Sequence, residues 1–433
     1  MALARSMESI VQNPHITAVI KDDDRRTLAE DGIAADQSTS DATTPETAHK
    51  ATPSTQLQLT DLPNELLGHI IDYLDTECPS EVNWHQRPEP TLTQSKTVDL
   101  KAISRTSKHL RHLVLPHLFA HARLDPNHYT PFLNFIRNHN LTPHITSLVA
   151  HLPGSCTHLH PAWWSRILTT IPITTFTILC PPYVFAELTQ TSLVNPDSWV
   201  FNMPYHALRF RQDHPTLSSN TASHLFTTRP WTHLSVNESS SLKAYSQYEY
   251  FLRKTPSLLA SLHHSPPPPP GSFLSPFSTL LTNLTHFTYT AIFPFYNHIE
   301  TILHSVRAMS NLTSLTFKLC PEPDSTVIDE ELKLALGHID LNDAWMEFDT
   351  AYNIIMHTVI YLTPEGGGKG RLEEFRIDDV KMEGIRENLK EVISQRLQKW
   401  WVHAGEGVWR KKAGKGLLGE GGGKRVDGKL EGV

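Results

Sequence analysis

The sequence predicts an α/β protein, α+β overall, in which a small N-terminal unit of three helices precedes a larger C-terminal domain of repeated strands and helices. Three observations predict it. Large apolar residues fall at helical spacing from Leu62 to Leu74 and again from Leu100 to Phe119. Beyond residue 125, short apolar segments of one pattern recur, with candidate helices between them. A chain of 433 residues with 39% hydrophobic and 19% charged composition is long and apolar enough to bury one large core or two unequal ones.

Residues 1–56 are rich in Asp, Ser, Thr and Ala and almost free of aromatics, so they read as a disordered tail that buries too little apolar surface to offset the entropy of ordering. Leu62, Leu66, Leu67, Ile70, Ile71 and Leu74 then form one apolar helix face. Pro63 suits its first turn, where a missing N–H has no intrahelical partner, and Glu65 lies at the positive end of the helix dipole. Residues 75–98, with three prolines and many polar residues, read as a loop. Periodicity resumes at Leu100, Ile103, Leu110, Leu113, Val114, Leu118 and Phe119. A break near Ser104–Lys108 and Pro116 within the last stretch predict two or three short helices.

The strand-like segments are Ile145–Val149, Ile173–Ile178, Thr232–Val236, Leu284–Tyr289, Leu312–Phe317 and Leu372–Ile377. Aligned on their central residues, Leu148 to Phe176 and Phe287 to Leu315 are each 28 apart, while Phe176 to Leu234 (58) and Leu315 to Phe375 (60) are near twice that. Such a period falls in the range of leucine-rich repeats, although the asparagine ladder of that class is missing; an irregular α/β domain is the other reading. Pro131–Asn140, Tyr296–Met309 and Asp329–Leu362 are the helical candidates. Residues 264–277, with their proline run, read as a surface loop, and residues 405–433 as a flexible Gly/Lys-rich tail. The repeated domain is thus expected to span 125–404.

Leu62-Pro63-Asn64-Glu65-Leu66-Leu67 with Ile70-Ile71-Asp72-Tyr73-Leu74, then Asp99 to Arg111, and the closing Leu115-Pro116-His117-Leu118-Phe119 together resemble the F-box, in the form met in filamentous fungal proteins. The resemblance covers residues 57–124 and departs from the family in the 24-residue insertion 75–98. It implies a three-helix module whose exposed apolar edge docks on the Skp adaptor, which holds a cullin scaffold and a RING subunit. The chain would then be the substrate receptor of an SCF-type ubiquitin ligase, with no chemistry of its own and an unknown protein substrate on its leucine-rich-repeat-like solenoid domain. By family position Leu62, Pro63, Leu66, Ile70, Leu100, Ile103, Ser104 and Leu110 lie at or near the adaptor; the other reading is that some of the module's apolar residues, especially Leu67, Ile71, Leu113 and Val114, only pack within it or onto the repeats. A helical unit this small carries more large apolar residues than it can bury, which agrees with a partner interface.

Other chemistries find little support. The balance of 38 basic and 45 acidic side chains lacks the positive field that nucleic acid or anionic lipid calls for. Cys78, Cys156, Cys180 and Cys320 form no C-x-x-C pair, which fits a reducing compartment and no zinc knuckle. Neither a signal peptide nor an apolar run of membrane-spanning length is seen, so a cytoplasmic or nuclear location is expected. His109 with His112 and His117 with His121 have helical spacing but no acidic partner, and read as solvated helix faces; His158, His160, His263 and His264 read as loop residues. Gly154-Ser155 and Gly271-Ser272 complete no nucleophile elbow, and Gly366–Gly370 and Gly421–Lys424 no phosphate loop. Lys399-Trp400-Trp401 with Trp409 to Lys412 either seal the end of the repeats or stack on a partner. No cofactor is expected. A Skp-binding scaffold without ubiquitination, and an enzyme on the C-terminal domain, are the alternatives.

Overall fold

An apolar residue, a threonine, a third residue and a second apolar residue lead into five of the predicted strands: Ile145 to Leu148, Ile173 to Phe176, Trp231 to Leu234, Leu284 to Phe287 and Leu312 to Leu315. A sixth, Leu372 to Phe375, has Glu373 in the second place. The computed structural model describes residues 59–74, 77–94, 96–154, 163–189, 191, 193, 197–215, 224–262, 275–335, 339–363 and 370–412. In it these segments enter one ten-stranded mixed sheet, ordered β1 to β8 and then β10 and β9. The strands are β1 His121–Leu124, β2 Ser147–His151, β3 Thr175–Cys180, β4 His206–Arg211, β5 His233–Ser240, β6 His286–Ile292, β7 Ser314–Lys318, β8 Glu374–Ile377, β9 Trp401–Gly405 and β10 Val408–Lys411. β1 to β3 are parallel, as are β5 to β8, whereas β4 runs antiparallel to both its neighbours and β10 antiparallel to β8 and β9.

Thirteen α-helices are found among the described residues. α1 Asn64–Asp72, the short α2 Pro79–Val82, α3 Val98–Ser104 and α4 Lys108–Ala120 precede the sheet. α5 Tyr129–Asn138, α6 Trp163–Thr170 and α7 Pro182–Leu188 follow β1, β2 and β3. α8 Leu258–Leu262 and α9 Pro276–Asn283 lie between β5 and β6, and α10 Tyr296–Arg307 between β6 and β7. α11 Val327–Leu334 and α12 Leu341–Tyr361 separate β7 from β8, and α13 Glu383–Leu397 leads to the final hairpin.

Register explains why the sequence repeats. Ala122, Leu148, Phe176, Phe210, Leu234, Phe287, Leu315, Phe375 and Trp409 are successive partners across nine strands, and all are buried. They share one core with Trp163 and Ile167 of α6, Phe277 of α9, Ile302 of α10 and Ile355 of α12. Each such side chain contributes about 1.5–3 kcal/mol on burial, and a slip of one residue would turn the whole row to water, so the pattern pins the register. The leading apolar residues Ile145, Ile173, Trp231, Leu284, Leu312 and Leu372 are buried too. Where an asparagine ladder was missed, threonines stand: the hydroxyls of Thr146, Thr174, Thr285 and Thr313 donate to the carbonyls of Ala120, Thr146, Thr232 and Thr285 at 3.0, 3.1, 3.1 and 3.0 Å. Each repeat thereby satisfies a carbonyl of the one before it.

Several expectations change. The double interval between Phe176 and Leu234 holds β4, an antiparallel strand, so the parallel repetition is interrupted there. That between Leu315 and Phe375 holds no strand among the described residues; β7 pairs directly with β8, and the predicted Asp329–Leu362 helix is two helices, the second N-capped by Asp340, which accepts from Asn342 N at 2.9 Å. Pro116 does not break α4, because Val114, Leu115, Leu118 and Phe119 around it are all buried and offset the ~3 kcal/mol a helical proline costs. The one break falls at Ser107, within the expected Ser104–Lys108 stretch, where the side chain caps α4 by accepting from Leu110 N at 3.1 Å. Pro276 and Phe277 belong to α9 rather than to a 264–277 loop. The flexible tail cannot begin at 405, since β9 and β10 form a hairpin to Lys411 in which Trp401 and Trp409 are buried, with indole N–H groups donating to Thr363 at 3.1 Å and Ser394 at 3.3 Å. These indoles seal the core and are closed to an outside partner. Residues 1–56 and most of the proline loop lie outside the described residues, as do His158, His160, His263 and His264.

Candidate docking surfaces

α1 and α3 both pack on α4. The apolar face of α1 is wider than one neighbour can cover. Leu67 and Ile71 turn inward and are buried, whereas Leu66 at 50% and Ile70 at 38% exposure stand out in water, continued one turn on by Tyr73 at 91%. Spacings of four and three residues place these three in one stripe. Pro63, also exposed, starts the helix, its carbonyl accepting from Leu66 N and Leu67 N at 3.0 and 3.1 Å. Leu62 and Ile103 are half-buried.

Three other residues assigned to the adaptor edge are placed inside. Leu100, Ser104 and Leu110 are buried, and the Ser104 hydroxyl donates to the Lys101 carbonyl of its own helix at 2.8 Å. They are corrected to internal packing residues. Leu67, Ile71 and Val114 are buried as expected for module core, and Leu113 is half-buried against it. Tyr73 and Val98, the latter 75% exposed, were not singled out; position 73, seven residues after Leu66, was the available signal.

The second surface is the sheet face opposite the helices. Along the strands it carries Ser147, Val149 and His151, then Thr175, Thr177 and Leu179, Arg209 and Arg211, His233, Ser235 and Asn237, His286 and Thr288, Ser314 and Thr316, Glu374 and Arg376. The insertion expected to be a loop lies across it as a strap. Cys78 Sγ donates to Ser147 Oγ at 3.3 Å, and Thr177 Oγ1 to Ser80 Oγ at 3.4 Å. The Arg209 guanidinium donates to the Ser80 carbonyl at 2.8 Å and lies 4.6 Å from the Trp84 ring centre. Asn237 Nδ2 donates to the carbonyls of Trp84 and Gln86, both at 2.7 Å, and Arg123 to that of Pro90 at 3.2 Å. Trp84 packs with Leu179, Ala207 and Tyr205 in a small cluster separate from the main core. Beyond it, a cleft of about 320 Å³ opens between His85, Arg87 and Glu89 of the strap and Glu322, Asp324 and Glu330.

His121 departs from the solvated helix position expected of it. It opens β1, half-buried, with Nδ1 2.9 Å from Ser147 Oγ. Burial pushes the Cys78 thiol up, but hydrogen bonds with His121, Ser147 and Ser80 bring it below its ordinary value. His233 and His286 stack in parallel, centres 3.9 Å apart; burial and the neighbouring ring lower His233 to about 4. Below the strap, His233, His286, Thr288, Ser314, Thr316, Glu374 and Arg376 remain half-exposed.

One buried acid–base group was not anticipated. Glu238 is fully buried on β5, accepting from Ser257 Oγ at 2.8 Å, Leu258 N at 2.9 Å, Tyr289 OH at 2.8 Å and His298 Nε2 at 2.6 Å. Burial pushes its carboxyl up, yet the charge and hydrogen bond of His298, with lesser help from His206 and Ser257, hold it down to about 2. Both oxygens are taken by protein donors, which leaves no place for a substrate. Among the described residues no group of three or more His, Cys, Asp or Glu is placed to hold a metal ion, and no helix is long and apolar enough to cross a membrane. No family model, no curated protein and no solved structure matches the chain.

Proposed function

We propose that the chain is an F-box-type substrate receptor of an SCF-type ubiquitin ligase. In this reading α1, α3 and α4 form the docking module, the leucine-rich-repeat-like domain presents its polar sheet face to a protein target, and the adaptor brings cullin and RING subunits. The observation that carries it is the stripe of Leu66, Ile70 and Tyr73, exposed on a helix whose other face is already buried. Large apolar and aromatic side chains aligned in water on a small helical unit are what a docking partner covers. The half-exposed polar face supports the second contact, because one extended surface built from many strands suits a protein better than a small molecule.

The test is co-precipitation of the full chain with the Skp adaptor and with cullin, beside the double variant Leu66→Ala with Ile70→Ala. Wild type should retain both partners. Loss of two apolar anchors at about 1–4 kcal/mol each should weaken adaptor binding by at least about thirtyfold, and a hundredfold or more above the lower end of that range. Adaptor without cullin would favour a scaffold, and no adaptor on wild type would end the proposal.

A further inference from the structure

We propose that the strap stands in for a partner: the polar face of β1 to β5 is a docking groove for a peptide that presents an indole side chain and backbone carbonyls from a helical turn and the residues just after it, as the strap does with α2, and the strap occupies that groove in cis. This deepens the target-face half of the reading above and is tested without the adaptor, so either can fail alone.

The contacts are of the kind that read a peptide rather than this peptide. Arg123, Arg209 and Asn237 all reach main-chain carbonyls, of Ser80 in α2, of Trp84 and Gln86 in the turn and bend after it, and of Pro90, groups that a peptide of the same backbone shape offers whatever its side chains. One side chain supplies the anchor, Trp84, held between Leu179, Ala207 and the Arg209 guanidinium. Glu81 sits close enough to Arg209 to bear on its charge, so an acidic residue upstream of the indole fits the groove.

The strap also fills the groove incompletely. The Trp84 indole N–H is buried with no acceptor among the described residues, and a residual space of about 20 Å³ remains among Trp84, Pro88, Thr177, Leu179 and Asn237. A buried donor left unpaired weakens the fit of the present occupant, and a ligand carrying an acceptor there would bind better. Because the Trp84 cluster is separate from the main core, lifting the strap exposes few apolar residues and leaves the buried row of the sheet intact. A tethered occupant acts at high effective concentration, so a partner competes only when the strap is loosened or its own affinity is high.

The probe is a fluorescent synthetic peptide of residues 77–94, added to the full-length chain carrying Trp84→Ala and read by anisotropy. The variant should bind it at least tenfold more tightly than wild type does. Adding Arg209→Ala, or placing alanine at the tryptophan of the peptide, should remove binding. A variant with native circular dichroism and a cooperative transition that binds no peptide, or binds both peptides alike, overturns the proposal. Should Trp84→Ala fail to fold, hydrogen exchange on wild type decides: strap amides exchanging well ahead of β2 to β5 support a displaceable occupant, and exchange only with the sheet refutes it.

Discussion

Glu238→Gln keeps the volume of the β5 carboxylate and removes its charge. The wild-type carboxyl titrates at about 2 in the fold against an ordinary 4.5, because four donors converge on it and outweigh its burial. A group with a depressed folded pKa contributes stability that is complete above the unfolded value and fades as pH falls toward the folded one. At ~1.4 kcal/mol for each unit, the depression is worth about 3 kcal/mol at pH 7. The amide cannot match it, since its NH₂ would face Tyr289 OH and His298 Nε2 or the backbone N–H of Leu258. Urea unfolding of wild type and variant should therefore differ by about 3 kcal/mol at pH 7, with the gap narrowing steadily below pH 4.5. Other carboxyls with shifted values, such as Asp379 and Glu331, which burial raises, titrate in both proteins and cancel from the difference. A gap under 1 kcal/mol at pH 7, or one that stays flat with pH, would falsify the account of Glu238.

Leu67→Ala with Ile71→Ala should cost about 2–5 kcal/mol per site in thermal or urea unfolding, because both side chains are buried, while Leu66→Ala with Ile70→Ala on the exposed stripe should cost under ~1 kcal/mol each. Ending the chain after Ala404 removes buried Trp409 and uncovers Phe375; a loss of about 3–5 kcal/mol or insolubility is expected, and an unchanged melting curve would contradict the hairpin's place in the core. Thr313→Val deletes one rung of the threonine ladder and should cost about 1 kcal/mol, more than the same change at Thr316, whose hydroxyl stands on the half-exposed face. Arg229→Lys should cost about 2–4 kcal/mol, since a buried guanidinium donating to the carbonyls of Leu168, Ile171 and Ile173 cannot be replaced by a single ammonium.

The register of the sheet could be read before the structure. Leu148, Phe176, Leu234, Phe287, Leu315 and Phe375, the central residues of the repeated segments, occupy one row, because a row buried on every strand forces one residue class at one phase. β4 escaped notice since it runs the other way and lacks the leading apolar-threonine pair, its His206-Ala-Leu-Arg-Phe-Arg211 turning Arg209 and Arg211 to the polar face. β1 is four residues fused to the end of α4 and offers no period to count. The hairpin was hidden by glycines that read as flexibility. Gly405 and Gly407 instead adopt φ of 101° and 73°, and a Cβ on Gly407 would lie 2.2 Å from the Ile377 carbonyl oxygen. On α3 and α4, periodicity marks the apolar positions but not which of them the module keeps for itself, and family position, which places Leu100, Ser104 and Leu110 at the docking edge, does not register that all three are buried. The strap was the least legible element, held chiefly through its own carbonyls, which no sequence pattern records.

The reversed hairpin at the far end of the sheet also bears on solubility. Parallel strands stacked in register can accept another of their kind, and a chain ending on β8 would offer the exposed backbone of such a strand to a neighbouring molecule. β10 and β9 fold back over that edge, with a register shift between Val408 and Trp409 that bends the last pair out of line. At the other end β1 offers only the four residues His121 to Leu124, bound on one side by β2. A four-residue strand at one border and a bulged antiparallel hairpin at the other are poorer templates for growth of the sheet from one molecule into the next than an open parallel β8 would be.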